Sequence, residues 1–150
     1  MMLCEAAAYY KSKNLTLWDQ MQNMYKKYGY YKETQASITL KGADGVAKIK
    51  QITDALRKEK PENFGKFKVV SIKDYSTSKA RDVKTGKETK LDLPKSNVLY
   101  YELENDEWCC VRPSGTEPKL KFYIGVKGKS SSDADKRMEE LKQALLAKAE

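Results

Sequence analysis

The stretch NVLYYELENDEWCCVRPSGTEPKLKFYIGV, residues 97–126, contains the alternation of apolar and polar residues that decides the fold. Within residues 97–104 an apolar side chain recurs at every second position, namely at Leu99, Tyr101 and Leu103. A strand with one buried face has this spacing. Asn105 and Asp106 tolerate the positive φ of a two-residue turn, and residues 107–112 continue beyond it. The stretch therefore predicts a β-hairpin.

A further strand follows the hairpin, and its two faces differ in chemistry. One face carries Leu120, Phe122, Ile124 and Val126, and the opposite face carries Lys119, Lys121 and Tyr123. Successive side chains of a strand point to opposite sides of a sheet. We therefore expect the apolar face to join the core and the basic face to remain outside it.

Helices are predicted before and after these strands in the sequence. Asp44 is suited to cap a helix that ends before Pro61 and Gly65, and its core-facing residues are Val46, Ile49, Ile52 and Leu56. Ser132 begins a final helix, whose buried stripe consists of Ala134, Met138, Leu141 and Leu145. Each helix thus has one apolar face to bury.

The remaining segments complete the predicted order of elements. Residues 35–40 and 67–75 are rich in β-branched and alternating residues and are predicted as strands. Residues 76–91 have loop composition and are predicted to form a long surface connection. Strands flanked by helices, with hairpin-length connections, predict an α+β fold in which both helices lie on one face of an antiparallel sheet.

The N-terminal part of the chain differs from the rest. Residues 1–28 carry apolar residues at helical spacing and predict two short helices, the second capped by Thr16 with Asp19 and ended by Gly29. The pattern changes to strand alternation after Gly29. We therefore predict a helical segment over residues 1–31 and a separate domain over residues 32–150.

Composition and charge restrict the possible functions. The chain has 29 Lys and Arg against 21 Asp and Glu, a net charge of +8, so it attracts anions such as phosphate esters or nucleic acid. It contains no His, the side chain most often used for acid–base catalysis near neutral pH. Its apolar runs are far shorter than the ~20 residues of a membrane span. No membrane partner is expected.

Cysteine usage points to the cellular compartment. Of the 3 cysteines, two are the adjacent pair Cys109 and Cys110 within an apolar run. This arrangement suits free, mostly buried thiols in a reducing compartment better than a disulfide framework. The opening residues 1–10 lack the basic leader and long apolar run of a secretory signal. A cytoplasmic location is expected.

The connection between the last two predicted strands concentrates groups that bind phosphate. Arg112 offers a planar fork of donors, while Ser114 and Thr116 add hydroxyls. Gly115 allows backbone N–H groups to turn toward an anion, and Lys121 adds a point charge. The same residues also suit an ordinary tight turn, so these residue types alone leave both interpretations open. Ser114 is a poor candidate nucleophile because no His is present to activate it.

The same segment resembles a known family. Residues 112–123, RPSGTEPKLKFY, resemble the signature R-x-S-G-T-E-P-K-[IL]-[KR]-[FY]-Y near the C-terminus of α-D-phosphohexomutases, the phosphoglucomutase/phosphomannomutase family. Residues 26–31, KKYGYY, resemble the segment that leads into the last domain, particularly in the bacterial phosphoglucomutase branch. The resemblance thus extends over essentially the whole chain.

The resemblance implies a fold and a role. Family members have four domains, and the last is similar in fold to the TATA-box-binding protein, a curved antiparallel sheet carrying two helices. The whole enzyme moves phosphate between the 1- and 6-positions of a sugar phosphate through a sugar bisphosphate, using a phosphoserine and Mg²⁺. The C-terminal loop grips the phosphate that is not transferred. Carried over by position, the clamp comprises Arg112, Ser114, Gly115, Thr116 and Lys121, with Glu117 and Lys119 as flanking matches.

Several family motifs have no counterpart in this sequence. The catalytic serine loop, the D-x-D-x-D-R metal loop and the G-E-x-S sugar-recognition loop are not found. Asp133 and Asp135 supply only two carboxylates and are better interpreted as favourable charges at a helix N-terminus. We therefore predict no catalytic residue, metal or cofactor in this chain. Mg²⁺, the sugar bisphosphate and three preceding domains are implied for the parent enzyme only.

Two functions from other classes are alternatives to a truncated, inactive piece of that enzyme. A basic chain with 10 tyrosines could be a nucleic-acid-binding module. Its lysines are spread as on an ordinary solvated surface, so no nucleic-acid partner is expected. An independent phosphosugar-sensing domain is the other. Residues 1–28, interpreted as the end of the third domain, would expose an apolar stripe through which self-association is possible.

Overall fold

A computed structural model of the chain describes residues 1–40 and 43–149, and its sheet has antiparallel pairing throughout. The strands in chain order are β1 (Tyr30–Thr39), β2 (Asn63–Phe64), β3 (Phe67–Asp74), β4 (Lys79–Asp82), β5 (Glu88–Lys90), β6 (Leu99–Leu103), β7 (Trp108–Pro113) and β8 (Lys119–Gly128). They pair in the order β1-β8-β7-β6-β3-β4-β5, and β2 pairs with β3. The helices are α1 (Met2–Lys11), α2 (Leu17–Tyr28), α3 (Ala43–Glu59) and α4 (Ser131–Ala147).

The predicted hairpin is confirmed as β6 and β7. A short 3-10 turn, Glu104–Asp106, joins these strands, and Asn105 and Asp106 adopt φ values of 64° and 59°. Asn and Asp accept this left-handed conformation more readily than most residues. The turn sets a register in which Tyr101 opposes Cys109 and Leu99 opposes Val111. Every alternate side chain of the hairpin therefore points into the core.

The core lies on one face of the sheet, beneath α3 and α4. It combines buried residues from the strands with residues from both helices, including Leu56, Ala134, Leu141 and Leu145. The strand contribution includes Leu99, Tyr101, Val111, Leu120, Phe122, Ile124 and Val126. The structure thus confirms the predicted α+β class with both helices on one face.

The opposite face of the sheet, which we call the open face, carries no part of this core. By register it presents Arg112 and Lys121 beside each other, and then Cys110 and Tyr123 in the next row. Tyr100 and Trp108 stack on this face with ring centroids 5.5 Å apart. The open face therefore carries cations at the end of the sheet where β7 leads into β8, and aromatic rings further along.

The N-terminal helices pack lightly on the rest of the chain. The capping box predicted for α2 is present, because the Thr16 side chain accepts from the Asp19 N–H and the Asp19 side chain accepts from the Thr16 N–H. Tyr25 of α2 stacks on Tyr30 of β1 at 5.5 Å. Large apolar side chains remain exposed on α2, including Trp18, Met21, Met24 and Tyr28.

Several boundaries differ from the predictions. β1 begins at Tyr30, so Tyr30 and Tyr31 belong to a strand although they precede the predicted domain boundary, which itself stays a prediction. The predicted loop at 76–91 contains β4 and β5. β4 pairs with the edge of β3 and β5 pairs with β4, so these lysine- and threonine-containing strands can keep one side in solvent. Tertiary pairing there outweighs a loop-like composition.

Smaller differences concern the helices and one cysteine. α3 begins at Ala43, which puts Asp44 inside its first turn, and Val46 is 60% exposed and not part of the core. Ser130 caps α4, two residues before the predicted start. Of the cysteines, Cys109 is buried and Cys110 half-buried, but Cys4 is exposed on α1, which packs against few residues. No helix within the described ranges is long and apolar enough to cross a membrane.

Candidate phosphate-binding loop

The connection between β7 and β8, residues 114–118, is held by contacts within the loop. The Ser114 N–H donates to the Lys119 carbonyl at 2.8 Å, and the Lys119 N–H donates to the Glu117 carbonyl at 2.7 Å. The Lys119 ammonium also lies 3.1 Å from the Glu117 carboxylate. These contacts pair Glu117 and Lys119 with each other within the loop.

A neighbouring strand and helix anchor this loop. The Leu40 N–H, just beyond β1, donates to the Pro118 carbonyl at 3.0 Å. A Cβ atom on Gly45, in the first turn of α3, would lie only 2.3 Å from the Leu40 carbonyl oxygen. Glycine is therefore required at 45 for the helix to pack so closely. The end of β1, the start of α3 and the loop form one connected unit.

Arg112 and Lys121 are direct neighbours across the β7–β8 pair, on the open face. Arg112 is exposed and Lys121 is half-buried. Within the described ranges neither side chain takes part in an ion pair or a hydrogen bond. Like charges directly opposite each other destabilise a sheet. This arrangement becomes favourable when an anion binds between the two side chains.

The loop tip adds donors to these two cations. The backbone N–H groups of Gly115, Thr116 and Glu117 donate to no protein acceptor in the part of the chain that the structure describes. Gly115 and Thr116 are exposed, so these groups and the Thr116 hydroxyl face solvent. Unpaired N–H groups and hydroxyls are what an anion of three or four oxygens requires.

Gly115 contributes open space. The glycines with positive φ are Gly29, Gly65 and Gly86, so the backbone at 115 does not depend on the conformational freedom of glycine. A Cβ atom added at 115 would meet nothing within 4 Å. The prediction that Gly115 lets backbone N–H groups turn toward an anion stays a prediction. The hydrogen at this position leaves room for a ligand to approach the backbone.

The five predicted residues lie together, but they do not all face the same side. Arg112 and Lys121 belong to the open face, and Gly115 and Thr116 form the exposed tip. Ser114 instead lines a cavity of about 420 Å³ on the helix side, together with Glu117, Pro118 and α3. An anion that contacts Ser114 as well as Arg112 and Lys121 therefore has to lie across the edge of the loop.

The cavity beside Ser114 includes residues that the sequence did not identify. Lys50 and Arg57 of α3 and Asn97 line it. Arg57 donates to the Asn97 side-chain oxygen at 2.5 Å, and Lys50 donates to Asp54 at 2.9 Å. Because these residues lie far from the loop in sequence, only the folded topology brings them near it.

The groups around the loop favour binding over proton transfer. Burial raises the pKa of the Cys110 thiol to about 11, and the charge of Arg112 offsets only part of that shift. Burial likewise raises the pKa of Cys109 well above its ordinary value. Both thiols therefore stay protonated near neutral pH. The loop offers positive charge and hydrogen-bond donors, a combination that suits an anion.

The two carboxylates near the start of α4 have partners of their own. Asp133 accepts a hydrogen bond from the Lys129 N–H at 2.8 Å, and Asp135 pairs with Lys32 at 2.5 Å. Both residues lie in the first turns of α4, as the helix-terminus interpretation requires. Residues 1–40 and 43–149 contain no cluster of three His, Cys, Asp or Glu side chains that could hold a metal ion.

The fold and the loop together define an α+β domain with a cationic loop rich in free donors at one end of its sheet. The family model described as phosphoglucomutase/phosphomannomutase, C-terminal domain, matches residues 38–144. The chain belongs to this phosphoglucomutase/phosphomannomutase family. The match includes β6, β7, the loop, β8 and most of α4.

Individual relatives agree with this assignment. The phosphoglucomutase of Staphylococcus saprophyticus is 33% identical over 125 residues, which is 83% of this chain and 22% of that protein. The phosphoglucomutase of Staphylococcus aureus is 37% identical over 112 residues, or 75% of this chain and 20% of that protein. The chain thus spans about a fifth of the length of these curated relatives.

A solved structure supports the fold. The open form of pp63/parafusin, a phosphoglucomutase from Paramecium, matches with a TM-score of 0.52 and 12% sequence identity. The match covers 93% of this chain and 25% of the Paramecium chain. At this identity the similarity extends to the fold alone.

Proposed function

We propose that this chain is the C-terminal phosphate-binding domain of a phosphoglucomutase, and that its loop holds the phosphate that is not being transferred. The observation that carries the proposal is the direct opposition of Arg112 and Lys121, two cations without a protein partner in the described ranges, beside a loop tip with unpaired N–H groups. Membership of the family supplies the enzyme class.

The chemistry of the loop suits a phosphate monoester. The guanidinium of Arg112 donates two parallel hydrogen bonds to phosphate oxygens, and Lys121 adds charge without fixed geometry. Gly115 and Thr116 donate to the remaining oxygens from the tip. Each charge-assisted hydrogen bond contributes roughly 1.5–3 kcal/mol, less the cost of ordering the side chains. We expect a dissociation constant near ~1 mM, or about −4 kcal/mol.

The remaining chemistry is assigned to parts of the parent enzyme outside this sequence. Transfer between hexose 1-phosphate and hexose 6-phosphate requires a phosphorylated serine, Mg²⁺ and a bound sugar bisphosphate. We assign the ligands of Mg²⁺ to the preceding domains, because the described residues hold no cluster of three side chains suited to a metal ion. Positioning and charge stabilisation of a phosphoryl group need all these parts together. A cytoplasmic location belongs to the same proposal and rests on the free thiols.

Titration with glucose 1-phosphate tests the binding role. In the pure chain, the backbone amide resonances of Ser114, Gly115 and Thr116 should shift on addition of glucose 1-phosphate, whereas those of α4 should not. Glucose serves as the matched control, because it has the same ring without the phosphate, and it should leave the loop resonances unchanged. Equal shifts with both sugars would mean that the loop does not recognise phosphate.

An activity assay tests the assignment of catalysis to other domains. The pure chain should convert no glucose 1-phosphate to glucose 6-phosphate, even with Mg²⁺ and glucose 1,6-bisphosphate present. Conversion above the buffer blank by a preparation free of other mutases would contradict the proposal, because the catalytic serine would then have to lie within these residues.

The exposed stripe on α2 is proposed to pack against the preceding domain. Trp18 is 68% exposed and Tyr28 is 58% exposed on a helix whose other face contacts β1. Without that domain, the stripe of one copy can cover that of another. Sedimentation should show a dimer that becomes a monomer in Trp18→Glu. A wild-type chain that stays monomeric at millimolar concentration would contradict this assignment.

A further inference from the structure

A second cavity lies at the other end of α3, away from the phosphate-binding loop. It measures about 310 Å³ and is enclosed by the C-terminal end of α3 and by strands β3, β4 and β5. None of residues 112–121 lines it, and it shares only Arg57 with the cavity beside Ser114. Its inner wall is apolar, because Ile72 and Leu99, 7% and 1% exposed, form that side.

The rim of this cavity has an excess of positive charge. Four cations line it, namely Arg57, Lys60, Lys79 and Arg81, against the two carboxylates of Asp74 and Glu88. Lys79 and Lys60 lie 2.9 Å and 3.7 Å from Glu88, and the Arg57 Nε lies 3.4 Å from Asp74. Each carboxylate thus already has a cation.

Both carboxylates stay ionised at neutral pH. The pKa of Glu88 is lowered chiefly by the hydrogen bond from Lys79, with smaller contributions from the charges of Lys60 and Arg81. Burial tends to raise the pKa of Asp74, but hydrogen bonds from Ser76 and the charge of Arg57 outweigh it and leave that pKa lowered. The rim therefore keeps two positive charges in excess of its two carboxylates.

Arg81 is the cation in this set that is not neutralised by a close contact. Its Cα pairs with Ile72 of β3 on one side and with Glu88 of β5 on the other. Arg81 is half-buried and, like Ile72, belongs to the helix side of the sheet. Within the described ranges it forms no ion pair shorter than 4.0 Å and no hydrogen bond. A half-buried guanidinium without a partner is costly, and a bound anion would offset that cost.

A buried hydroxyl in the adjacent core lacks a hydrogen-bond partner within the described ranges. It belongs to Tyr101, a fully buried residue two positions from Leu99 on the same strand face. Burial raises the pKa of the Tyr101 phenol well above its ordinary value, and the charges of Arg57 and Asp74 act on it in opposite directions. The strand that supplies Leu99 to the apolar wall therefore also carries an unsatisfied polar group.

We propose that this cavity is a second binding site, for a small organic anion with an apolar body. The apolar part of the ligand lies against Ile72 and Leu99. The planar guanidinium of Arg81 binds the anionic group of the ligand, with Lys60 nearby. Small-molecule sites in proteins have this composition, a mostly apolar pocket of roughly 300–1,000 Å³ with a few convergent polar groups. The site is independent of the phosphate-binding function proposed for the loop.

Titration of the whole chain with phenyl phosphate tests the site. The amide resonances of Ala80, Arg81 and Thr89 should shift and saturate, separately from any shift at the loop tip. Arg81→Gln should weaken binding here by about tenfold or more, the effect of losing a charge-assisted hydrogen bond. Lys84→Gln is the matched control, since it removes the same charge from an exposed position on the same hairpin, and it should leave the affinity unchanged.

Two further ligands separate the contributions of charge and apolar surface. Inorganic phosphate and phenol should each bind at these resonances at least about tenfold more weakly than phenyl phosphate, since each lacks one half of the match. The proposal is overturned if β4 and β5 resonances do not respond, if inorganic phosphate binds equally well, or if Arg81→Gln leaves the affinity intact. Were Arg81→Gln unfolded, the comparison of the three ligands on the wild-type chain would decide.

Discussion

Arg112 and Arg137 lie on the same domain and have opposite surroundings. Arg137, on α4, donates two hydrogen bonds of 2.6 Å each to the carboxylate of Glu107, whose side chain is 1% exposed. Its guanidinium also lies over the Phe67 ring at 5.3 Å. Arg112, at the end of β7, is exposed and has Lys121 as its cross-strand neighbour. One guanidinium is paired with a buried carboxylate, whereas the other faces a like charge.

The difference separates the end of the sheet that a buried ion pair stabilises from the end that carries the proposed phosphate-binding loop. The pair of Arg137 and Glu107 ties α4 to the turn between β6 and β7, and Glu107 also accepts from the Lys127 N–H at 3.3 Å. Arg112, at the other end of the sheet, has no protein partner in the described ranges, so its guanidinium is available to a ligand. We therefore expect replacement of Arg137 to lower stability and leave phosphate binding intact. Replacement of Arg112 should do the reverse.

The largest effect is expected from Arg137→Ala. The change leaves the buried Glu107 carboxylate without its cation, and breaking a buried pair in this way costs about 3 kcal/mol or more. Urea unfolding followed by circular dichroism should show this loss, while phosphate still shifts the loop resonances of the folded fraction. Lys136→Ala, at the exposed neighbouring position, is the control and should stay within about 0.5 kcal/mol of wild type. A stability loss as small as the control's would mean that the buried pair contributes little.

Two glycines ten positions apart extend the comparison along β8 and its loop. A Cβ atom on Gly125 would lie 2.2 Å from the Trp108 Nε1, whereas one on Gly115 would meet nothing within 4 Å. Gly125→Ala should therefore displace the indole from its stack on Tyr100 and cost about 1–3 kcal/mol. Gly115→Ala should leave stability unchanged within about 0.5 kcal/mol and weaken phosphate binding by crowding the loop tip.

Near-ultraviolet circular dichroism and urea unfolding distinguish these two variants. The aromatic signal should change in Gly125→Ala alone, because only that substitution moves Trp108. If Gly115→Ala proved the more destabilising of the two, the loop would have a structural role and the contrast between the two ends of the sheet would fail.

Much of the sheet was predictable because it depends on local alternation. The faces of β6 and β8 follow from period-two spacing, and the Asn105-Asp106 turn follows from residues that tolerate positive φ. β4 and β5 were missed because their pairing on the edge of β3 is a tertiary effect that composition does not record. For the same reason the start of β1 at Tyr30 was missed, since pairing with Gly128 extends the strand.

The sequence placed the five candidate positions in one segment but did not indicate their geometry. The motif at 112–121 identified the five positions, yet no pattern in the sequence indicated that Ser114 faces α3 while Arg112 and Lys121 face the other side. That separation results from the register between β7 and β8.

The decisive experiment for the phosphate-binding role is titration of Arg112→Ala with inorganic phosphate. The variant should retain the wild-type unfolding free energy within about 0.5 kcal/mol, because an exposed arginine without a partner contributes little to the fold. The shifts of Ser114, Gly115 and Thr116 on addition of phosphate should disappear, and Arg112→Lys should restore only part of them, since an ammonium lacks the planar fork. Unchanged shifts in Arg112→Ala, or an unfolded variant, would contradict the account and assign Arg112 a structural role.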